Sequence, residues 1–269
     1  MSGGRRLACS NIAWPAELDD RAFALLVTNG FTGIELAPTR IWPDWQGMTT
    51  ESARAYRTRI EDAGLVVSSL QSILFARPDL QLFGDAAPLT EHLRNCADIA
   101  VELGARSLVF GAPKNRLRGA LSMEDAMSIA TERIGSVAQH YADRGVCLAI
   151  EANPTDYGCD FMTDSSQSSE LVRRVDSPGV RLHLDTACMW LAKEDVQAAI
   201  TSNSDILSHF HISEPQLGNF ESPQPCHATA AAALEGSGYT GWAAVEMRPT
   251  PDPIASLTKA LRHAREVYA

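Results

Sequence analysis

The sequence predicts a (β/α)8 barrel, read as one domain over residues 1–269. Three observations lead there. Short β-rich runs recur eight times at intervals of roughly 25–40 residues, each followed by a helical pattern. These runs are nearly continuous in apolar residues, as strands buried on both faces of a parallel sheet must be. The first run leads into "SNIAWPAE", which lacks the glycine-rich phosphate turn of an open doubly wound sheet. Eight strand–helix units in this length are what a closed barrel requires.

Taken in order, the strand candidates are "LACSNIAW", "TGIELAP", "LVVSSLQSI", "RSLVFGAP", "VCLAIEANP", "VRLHLDTA", "ILSHFHISE" and "GWAAVEMRP". In the helical segment "MEDAMSIATERIGSVAQHYADRG", Ile134, Val137, Ala138 and Tyr141 follow helical spacing, and Gly145 reads as its stop. "IASLTKALRHAREVYA" is a final amphipathic helix. No linker or shift in composition divides the chain.

Composition narrows the function classes. The chain is 45% hydrophobic and 21% charged, an ordinary globular balance. Its net charge of -10 is spread along the sequence, which disfavours a nucleic-acid partner, because phosphate binding needs clustered Lys and Arg. Six scattered cysteines with no CxxC pair read as free thiols of a reducing compartment. The beginning "MSGGRRLACSNIAW" has no apolar leader core, and no run approaches a membrane span, so a cytoplasmic location with no membrane partner is expected.

In such a barrel the active site lies where strands run into the loops that follow them. Polar residues cluster there: the second strand ends at Glu35, the third reaches Gln71, and the fourth runs into Lys114, Asn115 and Arg116. The fifth ends with Glu151 and Asn153, the sixth with His183 and Asp185, and the eighth with Glu246 and Arg248. In "DILSHFHISEP" of the seventh, His209, His211 and Ser213 share one parity, with Glu214 just beyond. Burying several unpaired carboxylates together is prohibitive unless a cation or protons neutralise them. Glu151, Asp185, His211 and Glu246, on four successive strands about 4.8 Å apart, therefore read as ligands of one divalent ion. Three carboxylates and an imidazole suit Mn²⁺ best, with Co²⁺, Mg²⁺, Zn²⁺ or Fe²⁺ compatible. His209 and His183 would lie deeper, beneath the ion. Lys114, Arg116 and Arg248 are candidates to hold a carboxylate or phosphate, against a plain solvated role. Trp14 and Trp42 are candidates for an apolar platform under a sugar ring, or for lid or oligomer contacts. Cys188 reads as a small buried hydrophobe rather than a nucleophile.

The segments "IEANP", "HLDTACM", "HFHISE" and "GYTGWAAVEMRP" resemble the xylose isomerase-like barrels, the superfamily that includes sugar isomerases and epimerases and endonuclease IV. The likeness runs over nearly the whole chain and leans toward the ketose 3-epimerases. It implies a divalent ion held by Glu151, Asp185, His211 and Glu246, with Glu151 and Glu246 as acid and base on opposite faces of the substrate. The expected activity is that of a metal-dependent isomerase or epimerase of a sugar, sugar acid or polyol, through a stabilised enediolate. Glu35, Gln71, Lys114, Arg116, Asn153, His183, Glu214 and Arg248 are the candidate substrate contacts, and a homodimer or homotetramer is the assembly implied by analogy.

Two departures stand out. "DTACM" places Cys188 where ketose epimerases carry a histidine, and "SEPQLGNFESPQP" lacks their arginine beyond the seventh strand. Those side chains orient the ketose, so the likeness does not carry a free ketose as substrate. A lyase or dehydratase on the same site, or a non-catalytic sugar-binding barrel, are the alternatives. The endonuclease IV type uses further histidines on the early strands, where this chain has Asn11, Glu35 and Gln71.

Overall fold

A computed structural model describes residues 5–269. Eight parallel strands form a closed barrel in sequence order: β1 (Arg6–Ser10), β2 (Gly33–Leu36), β3 (Val66–Leu70), β4 (Ser107–Phe110), β5 (Cys147–Glu151), β6 (Val180–Asp185), β7 (Leu207–Ser213) and β8 (Trp242–Glu246). Pairing of Arg6–Cys9 with Trp242–Val245 closes it. The helices are α1 (Asp19–Thr28), α2 (Thr50–Asp62), α3 (Ala86–Leu103), α4 (Met123–Asp143), α5 (Ser165–Val175), α6 (Thr186–Leu191), α7 (Val196–Thr201), α8 (Cys226–Gly236) and α9 (Pro253–Tyr268). Among the described residues no helix is long and apolar enough to cross a membrane.

Local chemistry sets these boundaries. In α4 the spaced residues Ile134, Val137, Ala138 and Tyr141 are buried against the sheet, as their periodicity predicts. Ser122 caps its start by accepting from Asp125 N, and Gly145 takes φ 67° just beyond its end. β1 is shorter than its apolar run, because Ser10 Oγ accepts from Ile12 N and turns the chain into a 3-10 segment at Asn11. β6 passes directly into α6, with Asp185 Oδ1 capping the helix at 2.7 Å from Cys188 N. All six cysteines are buried and free.

The inward parity of β7 is what the alternation predicted: His209, His211 and Ser213 are all buried. The register sets His211 opposite Asp185 on one side and Ala244 on the other, with Ser213 opposite Glu246. Trp14 and Trp42 belong to the hydrophobic core, which removes them as a sugar platform; Trp14 donates instead to Asp19 Oδ1.

Candidate metal centre and active site

The carboxyl ends of β5 to β8 bring four side chains to one point. His211 Nδ1 lies 3.4 Å from Glu246 Oε2, 3.7 Å from Glu151 Oε1 and 3.7 Å from Asp185 Oδ2. Its other nitrogen, Nε2, sits 2.9 Å and 3.0 Å from the two oxygens of Glu35. A carboxylate can only accept, so Nε2 carries the proton and the Nδ1 lone pair faces the three acids. That Nδ1 is fully buried yet has no hydrogen-bond partner. A lone pair aimed at three carboxylates is repulsive unless a cation or a proton lies among them. Ligand atoms of Glu151, Asp185, His211 and His183 also lie within 4.8 Å of one another. The donor set, oxygen-rich with one imidazole, fits a divalent ion.

Each candidate ligand is held in turn. Asp185 Oδ2 accepts from Ser213 Oγ at 2.6 Å while Oδ1 caps α6. Glu151 Oε2 accepts from Asn153 Nδ2 at 3.2 Å. Asn153 Oδ1 accepts from Arg116, which also donates to the Glu151 carbonyl at 2.7 Å. Glu35, wholly buried, accepts from Ser69 Oγ at 2.8 Å and pairs with His209 Nε2 at 2.8 Å as well as with His211.

The field is strongly polarised. Burial opposes a charged His211, but Glu35 and Glu246 overcome it and hold the imidazole well above its ordinary range. Burial, reinforced by Glu151 and Asp185, pushes the Glu246 carboxyl up to about 7 despite His211. Glu151 goes the other way: burial raises it, but His183 and His211 hold it well below the carboxylate range. His209 is pushed down to about 4 by burial, so it packs as a neutral ring. Without an ion, a proton on His211 supplies the positive charge the acids demand. Burial and the nearby acids raise the Cys188 thiol well above its usual value, which removes it as a nucleophile.

The four residues open onto a cavity of about 460 Å³ at the barrel mouth. Of the expected substrate contacts, Gln71, Asn153 and Arg248 line it. Gln71 is buried and donates to Ser10 Oγ at 2.5 Å, whereas Arg248 is exposed and bonds its backbone N–H to the Leu217 carbonyl. The other five are placed elsewhere. Glu35 lies beneath His211, and His183, fully buried, stands 3.3 Å from Glu151 Oε1. Arg116 is consumed bracing the end of β5 rather than facing the cavity. Glu214 accepts from His227 Nε2 at 2.7 Å and from Gln224 N, anchoring the loop after β7 to α8. Lys114 is exposed and lines a neighbouring cavity.

Several contributors were not read from the sequence. Ser213 had a signal, its shared parity with His211. Tyr157 and Gln216 had none: they meet over the cavity through Gln216 N donating to Tyr157 Oη at 3.0 Å, a contact between two loops. Gly111 matters by what it lacks, since a Cβ there would fall 2.1 Å from Glu151 Oε2.

A closed parallel barrel with an acid-and-imidazole cluster at the strand ends defines its class, a (β/α)8 protein whose strand-end groups could hold a metal ion. The chain belongs to the xylose isomerase-like TIM barrel family, whose model matches residues 23–267. It is 23% identical to a ketose 3-epimerase of Arthrobacter globiformis over 98% of this chain and 91% of that protein. Among solved structures, the D-allulose 3-epimerase from Methylomonas sp. in complex with D-allulose superposes with a TM-score of 0.79 at 20% identity, covering 98% of both chains. The 3-keto-D-glucoside 4-epimerase from E. coli gives 0.76 at 17% identity, covering 97% of this chain and 99% of that one.

Proposed function

We propose that this protein is a divalent-metal-dependent sugar epimerase, with Glu151, Asp185, His211 and Glu246 as the residues that hold the ion. The observation that carries the reading is the orphaned Nδ1 of His211, buried among three carboxylates. The similarity to epimerases named for ketoses, D-allulose and a keto-glucoside supports a carbohydrate with a carbonyl group as substrate. The ion, Mn²⁺ by its mixed donor set, would balance the acids and acidify the C–H beside that carbonyl.

The protein's own groups then move the proton. Glu151 and Glu246 end β5 and β8, separated by β6 and β7, and so would hold an ion from different sides. One carboxylate removes the proton from carbon, leaving an enediolate, and the other returns a proton to the opposite face, inverting that centre. Their environments push them apart, Glu151 toward the charged form and Glu246 toward the protonated one, the division an acid–base pair needs. Asp185 and His211, tied to Ser213 and Glu35, serve as positioned ligands. Tyr157 and Gln216 line the cavity mouth where they can orient hydroxyls and limit water.

The test is incubation of ketoses with Mn²⁺-loaded protein in D₂O, followed by NMR. Deuterium should enter at the epimerised carbon, and Glu246→Gln or Glu151→Gln should lower the rate by roughly 10²–10⁴-fold. Absence of exchange across a panel of ketoses and oxo-sugars would overturn the reading.

A further inference from the structure

The cavity at the strand ends does not stop at the metal ligands. It shares Ser72, Val109, Gly111, Ala112 and Pro113 with a second cavity of about 510 Å³. That groove runs between the segment after β3 and the segment after β4, and its wall includes Ile73, Leu74, Phe75 and Pro78. Ile73 and Leu74 are buried, but Phe75 is 64% exposed, more than any other large apolar side chain among the described residues. Its backbone is pinned, since the Phe75 carbonyl accepts from Trp45 Nε1 at 2.9 Å. An aromatic ring is thus presented to solvent on a fixed support, beside a polar site.

The backbone around the groove is also strained. Ser72, Ala76 and Ala112 have φ of 54°, 59° and 45°, left-handed conformations that residues with a Cβ rarely adopt. Such outliers persist where the surroundings enforce them, commonly at ligand sites. All three line this one groove.

We propose that the groove is an aglycone subsite, and that the substrate is the glycoside of an oxo-sugar carrying an aromatic or aliphatic aglycone. The sugar ring would lie toward Glu151, Asp185, His211 and Glu246, and the aglycone against the exposed ring of Phe75. Continuity with the strand-end cavity selects this occupant: a substituent on a sugar held there reaches directly into the groove. The wall also carries Arg77, Gln81, Lys114 and Asn115, but the exposed Phe75 ring selects the chemistry of the group beside it, because burying a hydrocarbon there removes apolar surface from water on both partners. This inference rests on the sugar-epimerase reading.

Two non-reacting probes test it, methyl and phenyl β-D-glucopyranoside, titrated into the full-length Mn²⁺-loaded protein by calorimetry. The phenyl glycoside should bind about tenfold more tightly, the effect of burying part of one ring. In Phe75→Ala the ratio of the two dissociation constants should fall toward one, and Phe75→Trp should retain the preference. Equal affinities, no binding of either probe, or a preference untouched by Phe75→Ala would overturn the proposal. Neither probe has a carbonyl, so this outcome is independent of the D₂O exchange that tests the epimerase reading.

Discussion

Glu35 and His211 stand 176 positions apart in sequence on strands that are not neighbours, yet their side chains meet at 2.9 Å and 3.0 Å across the barrel. This contact commits His211 Nε2 and leaves Nδ1 as the nitrogen that faces the acids. Second partners of this kind fix the tautomer of a ligating imidazole and raise its basicity. Glu35→Gln keeps the shape and removes the charge. Affinity for Mn²⁺, measured by calorimetry, should fall roughly 10–100-fold. An unchanged affinity would mean that Glu35 does not act through His211.

Gly111 makes room for Glu151. A Cβ at this position would sit 2.1 Å from Glu151 Oε2 and 3.4 Å from Asn153 Oδ1, so Gly111→Ala must displace the carboxylate. Deuterium exchange should drop at least tenfold, in line with the sensitivity of reacting groups to small misplacement. Thermal stability should change less, because the displaced atom borders the cavity rather than the core. Exchange at the wild-type rate would show that Glu151 tolerates another position.

In the proposed metal centre, protons and the ion would compete for the same acids. Burial pushes the Glu246 carboxyl up to about 7 in the folded protein, above the ordinary carboxyl value of about 4.3. A raised carboxyl favours the folded state while protonated; that contribution is complete below the unfolded value and lost as pH rises through 7. Ion binding needs the charged form, so its benefit grows as that contribution disappears. Removing the ion with a chelator should therefore lower Tm more at about pH 8 than at about pH 6. With ion at about 100 times its Kd, the difference at the higher pH should be roughly 2.7 kcal/mol, or several degrees. Equal shifts at both pH values would contradict the competition.

Two glycines outside the site should respond in opposite directions. A Cβ on Gly179 would lie 2.0 Å from the Ala138 carbonyl oxygen, a backbone atom of α4 that cannot rotate away. Gly179→Ala should cost about 1–3 kcal/mol or more, as overpacking does. Gly135, inside α4, has nothing within 4 Å of the added atom. Gly135→Ala should stabilise by roughly 0.5–1 kcal/mol through the lower entropy of the unfolded chain. Urea unfolding of the two variants checks both signs.

The architecture was legible because it follows from local patterns. Apolar runs of strand length with carboxylates at their ends announced β5, β6 and β8, and the alternation in "SHFHIS" oriented β7. The cluster of Glu151, Asp185, His211 and Glu246 followed from the geometry of successive parallel strands, which needs no contact information beyond their order. Loop residues were less readable. Lys114, Arg116 and Glu214 carry the same charge whether they face substrate, solvent or backbone. Arg116 went to the Glu151 carbonyl and Asn153, and Glu214 to His227, because those partners were within reach once the loops had closed.

The sequence by itself determined the barrel, the inward face of each strand near the site, and the four acid and imidazole groups at its mouth. These depend on period-two alternation and on the cost of burying charge, both of which act within a few residues of one strand. Tertiary structure alone decided that Glu35 supports His211, that Phe75 rather than Trp14 or Trp42 is the aromatic exposed beside the strand-end cavity, and that a groove continues from that cavity. Each of those depends on closure of the barrel and packing of its loops, which join residues far apart in sequence by distances that no local pattern encodes.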